Sequence, residues 1–220
     1  AIYVSGTLGE ATVGLDLARG LLPFGEGAPG GATLGEDAVG EDVAGEDTMR
    51  ETAGSPLLSA TEAAHLIARY RQPTPRLALG QGLLESGLAT AALDVSDGLV
   101  ADLGHMATAS GVTAEVRLAD IPISAALYRL AEGESRWLSR FVTGGDDYEL
   151  VFAAPPDRAA DIAALAARLG VFVTRIGTFQ DREEAGQRAQ EEGARDGAGV
   201  VVRDADGAAL SFDAAGWTHF

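Results

Sequence analysis

Residues 92–100, ALDVSDGLV, lead from an apolar strand-like run into Asp94 and Asp97 and on into a helical pattern. At such a strand-to-helix junction the backbone N–H groups and the helix dipole attract an anion. Two carboxylates there would repel a phosphate unless a divalent cation stood between them. Mg²⁺ suits that position, because it takes oxygen ligands and is commonly held by one or two carboxylates together with substrate phosphates. The plainer alternative is that Ser96 or Asp97 caps the helix and Asp94 is incidental. A second acidic knot, GGDDYELVF at 144–152, places Gly144 and Gly145 before Asp146 and Asp147 at the mouth of an alternating apolar strand. By itself it is compatible with a simple Gly/Asp turn. Two such knots at the ends of what would be neighbouring strands favour a shared function.

The other chemistry-bearing residues are less informative. His65, His105 and His219 show no ligand spacing, and His105 is expected along a helix surface. There is no nucleophile–His–acid set and no G-x-S-x-G. Trp217, in the terminal GWTHF, reads from its type alone as a core plug, with ring stacking as the alternative. Asp16, Asp102 and the Glu-rich stretches read as solvated faces.

Composition bounds what these residues can serve. The chain has 220 residues, 46% of them hydrophobic, and a formal charge of −17; its mean hydropathy is +0.08. That is enough for one sizeable domain. The negative charge argues against nucleic acid or an anionic membrane as partner, so a phosphorylated substrate would need cations as mediators. All 16 basic residues are Arg, which excludes the phosphate-gripping Lys of a P-loop. Without Cys there is neither a disulfide framework nor a thiolate metal site. No apolar run approaches the ~18 residues of a membrane span, and the cytoplasm is the expected compartment.

The elements that would position the knots alternate along the chain. A strand over 2–6 and a helix over roughly 9–22 open it; the first residues lie inside the strand, which suggests a longer protein whose N-terminal portion is absent. Residues 24–56 are rich in Gly and acid, contain the imperfect repeat GEDAV, GEDVA, GEDTM, and carry too little apolar surface to offset ordering, so disorder is expected. The capping box Ser59–Glu62 opens a helix through Tyr70, and a second helix ends near Gly87. A strand over 89–95, a helix over 97–109 closed by Gly111, and a strand over 112–118 follow. One or two short helices cover 124–141. A strand over 147–154, a helix over 157–169 stopped by Gly170, and strands over 171–179 and 199–204 complete the pattern, the last two separated by a polar loop at about 181–198. The expected class is α/β (α+β), a layered sheet with helices packed on it.

Taken in order, YVSGTLGEATVGL, RYRQPTPRLALGQGL, ALDVSDGLVADLGHMATASGV, TGGDDYELVFAAP, LGVFVTRIG and GWTHF resemble the thiamine-phosphate kinase family, over nearly all the chain outside the two polar insertions. The resemblance implies the C-terminal domain of the type shared with aminoimidazole ribonucleotide synthetase and selenophosphate synthetase. It implies transfer of the ATP γ-phosphoryl to thiamine phosphate with several Mg²⁺ ions. By the same resemblance Asp94 and Asp97 are Mg²⁺ ligands and Ser96 contacts ATP. Asp146, where the family usually has Glu, contacts thiamine phosphate, and Trp217 lies against that substrate, reversing the core-plug reading. A homodimer of the full-length enzyme is implied, formed largely through an N-terminal domain that also binds most of the metal. The 220 residues alone are therefore expected to be inactive.

Overall fold

The computed structural model describes residues 1–25, 58–133, 136–183 and 199–210. The expected acidic insertion, the polar loop and Trp217 lie outside these residues, apart from 24–25 and 181–183.

The chain runs β1 (Ile2–Ser5), α1 (Glu10–Ala18), α2 (Ala60–Arg71), α3 (Leu77–Ser86), β2 (Ala91–Asp94), α4 (Leu99–Ser110), β3 (Val112–Arg117), α5 (Ala125–Gly133), α6 (Arg136–Thr143), β4 (Leu150–Ala153), α7 (Ala159–Leu169), β5 (Val173–Asp181), β6 (Val200–Arg203) and β7 (Ala209–Leu210). Among the described residues the strands form one sheet in the order β2-β4-β1-β5-β3-β6-β7. Its pairings are antiparallel except β3 with β6, which is parallel. This is the layered α/β arrangement that the alternating pattern anticipates.

The period of two along the strands sorts the core onto two faces. Ile2, Val4 and Val151 meet Leu99, Leu103 and Met106 of α4 on one face. Tyr3 and Phe152, stacked at 5.3 Å, meet Leu79 and Leu83 of α3 and Ile162 and Leu165 of α7 on the other. Because β1 is central and covered on both faces, all four of its residues are buried. A third cluster joins α1, α2, α5 and α6 through Val13, Leu17, Leu66, Leu127, Leu130, Trp137 and Phe141. There Gly14 is required by close approach, since a Cβ on it would stand 2.1 Å from the Leu66 carbonyl oxygen.

Several local signals hold. The Ser59–Glu62 capping box is formed, and Gly111 and Gly170 close α4 and α7 in the left-handed conformation. Three expectations are corrected. The first helix stops at Ala18 rather than near 22. The helix expected from 97 begins at Leu99, with Gly98 as its N-cap, so neither Ser96 nor Asp97 occupies the capping position. The strand expected over 147–154 is shortened to Leu150–Ala153, because Asp146 (φ 69) and Tyr148 (φ 51) adopt left-handed conformations that extended backbone does not tolerate.

Candidate functional site

The two acidic knots are brought together by strand pairing. β2 and β4 run antiparallel with Asp94 opposite Leu150, so the C-terminal end of one and the N-terminal end of the other lie side by side at the same end of the sheet. Beyond the strands the pairing continues irregularly. The Val95 amide donates to the Glu149 carbonyl at 2.8 Å, the Tyr148 amide to the Val95 carbonyl at 2.8 Å, and the Asp146 amide to the Ser96 carbonyl at 2.9 Å. The glycines make this interleaving possible. A Cβ on Gly145 would lie 2.3 Å from the Ser96 carbonyl oxygen, and one on Gly98 would lie 2.5 Å from that of Thr143.

Around the junction opens a cleft of about 700 Å³, lined by Asp94, Ser96, Asp97 and Asp146 together with Thr12, Asp16, Tyr70, Arg140 and Tyr148. Four of the five residues singled out in the sequence therefore share one cavity. Among the described residues no group of three His, Cys, Asp or Glu side chains is gathered closely enough to form a metal cage. The carboxylate pair Asp94 and Asp97 in that lining nevertheless fits Mg²⁺, which takes oxygen ligands and completes its shell with water and substrate phosphate rather than with protein alone.

In the lining and behind it stand carboxylates that sequence reasoning placed at the surface or left without a role. Asp102 is buried. Its carboxylate accepts from the amides of Ser96 and Asp97, each at 3.0 Å, so α4 reaches back to shape the loop that carries the first knot. Burial raises its pKa above the usual carboxylate range, the two amides oppose that, and the charges of Asp97 and Asp94 reinforce it. Asp16 is also buried and pairs with Arg140 at 2.7 Å; burial raises its pKa against the pull of that guanidinium. Arg140 in turn lies over the Trp137 ring, 5.1 Å from its centroid. The expectation that Asp16 and Asp102 are solvated is thus overturned, since each is enclosed by an element distant in sequence or by its own helix.

Residues 146–149 alternate in direction. Asp146 and Tyr148 face the cleft, while Asp147 and Glu149 are buried, 1% and 0% exposed. Asp147 accepts from the amides of Gly9 at 2.7 Å and Ala11 at 3.1 Å and so caps α1 from across the fold. Burial pushes its pKa up to about 7 despite those two bonds. Glu149 accepts from Ser5 Oγ at 2.6 Å, from Arg69 Nη2 at 2.9 Å, and from Arg76 through Nε and Nη2, both at 2.6 Å. A buried carboxylate so fully bonded locks the loop to β1 and to α2 and its following turn. The available signal for these residues was the DDYE string itself, two further acids next to a paired-glycine turn.

The greater part of the chain, residues 43–188, matches the family described as AIR synthase related protein, C-terminal domain. The chain belongs to that family. Thiamine-monophosphate kinases are similar to the chain in sequence and fold. The thiamine-monophosphate kinase of Salmonella typhimurium is 38% identical over 162 residues, covering 73% of this chain and 44% of that protein. The solved thiamine-monophosphate kinase from Stenotrophomonas maltophilia K279a is 35% identical with a TM-score of 0.64, over 95% of this chain and 50% of that one. AaThiL complexed with AMPPCP and TMP is 26% identical with a TM-score of 0.61, over 100% of this chain and 51% of that one. The chain spans about half the length of these relatives.

Proposed function

We propose that this chain is the C-terminal part of a thiamine-phosphate kinase, which transfers the γ-phosphoryl group of ATP to thiamine phosphate and yields thiamine diphosphate and ADP. The observation that carries the reading is the interleaving of the two knots, which sets Asp94, Ser96, Asp97 and Asp146 around one cleft; the thiamine-monophosphate kinases among its relatives support the substrate.

Asp94 and Asp97 would hold Mg²⁺. When bound, that ion offsets the charge of the phosphates and draws donor and acceptor together. The protein's own work is positional. Ser96 contacts ATP from a loop whose amides are fixed by Asp102. Asp146 contacts thiamine phosphate from the opposite knot, and Trp217 supplies an aromatic surface for the same substrate. Transfer is direct, with no covalent protein intermediate, because positioning and charge stabilisation suffice for phosphoryl transfer. The remaining metal sites and the dimer contact belong to an N-terminal domain of the full-length protein, which acts in the cytoplasm.

A coupled ADP-release assay on the full-length enzyme tests this. ADP release that requires thiamine phosphate and Mg²⁺ is the expected result; ATP turnover only with aminoimidazole precursors or selenide, or none at all, overturns it.

A further inference from the structure

Tyr148 has a backbone conformation that its side chain does not favour. At φ 51 it occupies the region where Gly or Asn serves when a turn alone is needed, and an aromatic residue there is an outlier that points to a constraint. The conformation is enforced from both sides. Asp147 is anchored to the N-terminus of α1 and Glu149 to Ser5, Arg69 and Arg76, while the Tyr148 amide is bound to the Val95 carbonyl. Between two buried carboxylates the ring is turned outward, 39% exposed, into the cleft beside Asp146 and in the company of Tyr70 and Leu15. Neither core packing nor turn geometry accounts for a ring held there.

We propose that Tyr148 is a specificity-determining residue whose ring takes the cationic five-membered ring of thiamine phosphate, with the neighbouring Asp146 carboxylate adding to the attraction. This rests on the reading of the cleft as a thiamine-phosphate site. An aromatic face attracts a quaternary ring nitrogen, most strongly where water is excluded, and the knot's alternation places the Asp146 charge two residues away on the same side. Tyr148 then selects for the cationic ring rather than for the phosphate, which every competing phosphate ester also carries.

The test compares Tyr148→Asn, which suits a left-handed φ but lacks a ring, with Tyr148→Phe in the full-length enzyme. The substrates are thiamine phosphate and its thiophene analogue, in which carbon replaces the charged ring nitrogen. The wild type should prefer the cationic substrate by about tenfold in kcat/KM. Tyr148→Phe should keep that preference and Tyr148→Asn lose it, with the KM for ATP unchanged in both. Equal use of the two substrates by the wild type, a preference retained in Tyr148→Asn, or a change in KM for ATP instead overturns the assignment. Should Tyr148→Asn fail to fold, Tyr148→Gly, which adopts a positive φ without strain and also lacks a ring, takes its place with the same expected and overturning results. A wild type that turns over neither substrate overturns the reading of the cleft itself, and the assignment with it.

Discussion

Asp94 and Asp97 are the residues whose roles separate most cleanly by substitution. The N-cap of α4 is Gly98, so Asp97→Asn removes charge without vacating a cap, and it relieves a repulsion that both residues exert on the buried Asp102. Melting temperature should therefore hold or rise slightly in Asp94→Asn and Asp97→Asn. Activity of the full-length enzyme should fall by about a hundredfold or more, with partial recovery as Mg²⁺ is raised, since metal stabilisation of the transition state is worth several kcal/mol. Full activity in both variants at low Mg²⁺ would sink the metal assignment. Asp147 makes a prediction in pH. Its native carboxyl holds a proton to about 7, whereas the unfolded one releases it near 3.8. Between those values the native state binds more protons, so this group's contribution to stability declines as pH rises and levels off above the native value. In metal-free buffer the melting temperature of Asp147→Asn relative to wild type should climb from about pH 5 to about pH 7 and then flatten. A difference independent of pH would refute it.

The glycines make the same kind of distinction at the scale of elements. Gly145 lies where the two knots cross, and a methyl group there would meet a backbone oxygen at 2.3 Å, which can yield only by moving the Ser96 loop. Gly145→Ala should cost about 1–3 kcal/mol, the usual range for overpacking, and should abolish most activity because it displaces both knots at once. Gly80, inside α3, is the contrast. A Cβ there finds only the Leu150 side chain at 3.6 Å, an ordinary contact, and Ala is the better helix former by roughly 0.8–1 kcal/mol. Gly80→Ala should raise stability. Chemical denaturation of the pair decides the matter: similar effects from both substitutions would show that the interleaving does not constrain the loop.

At the scale of the whole molecule the acidic repeat stands out by its charge. Its eight acids and one Arg within residues 24–56 account for seven of the seventeen net negative charges. The described residues on either side meet directly, the Gly25 amide donating to the Leu58 carbonyl at 3.0 Å, with Leu22 and Leu58 both in the helical core. A short Gly/Ser linker in place of 26–54 can therefore join the ends without distortion, and closure cost depends only weakly on length. Removal should leave the melting temperature within about 2 °C of wild type or raise it, as a ΔΔG well below 1 kcal/mol implies for a domain of this size. A loss of several degrees would mean that the segment packs on the domain.

The sequence by itself determined what depends on neighbours along the chain. The Ser59–Glu62 box, the glycine stops at 111 and 170, the strand and helix order, and two acidic knots at strand ends are all set by local hydrogen bonding, backbone freedom and hydrophobic period, and each is legible within a few residues. The ordered motifs of a known family added the likeness that the comparisons support. That β2 and β4 are neighbours is an expectation from the two knots; tertiary structure decided their pairing and register, and hence that Asp94 and Asp146 share a cleft, because strand pairing joins backbone groups more than fifty residues apart. It also decided which carboxylates are buried. Asp16, Asp102, Asp147 and Glu149 look alike in the string to any solvated acid, and only Arg140, the Ser96 and Asp97 amides, the start of α1, and the pair Arg69 and Arg76 distinguish them. The left-handed turn at Tyr148 belongs to the same class. Its conformation is imposed by anchors on β1, α1 and α2, and no preference of the residue itself announces it.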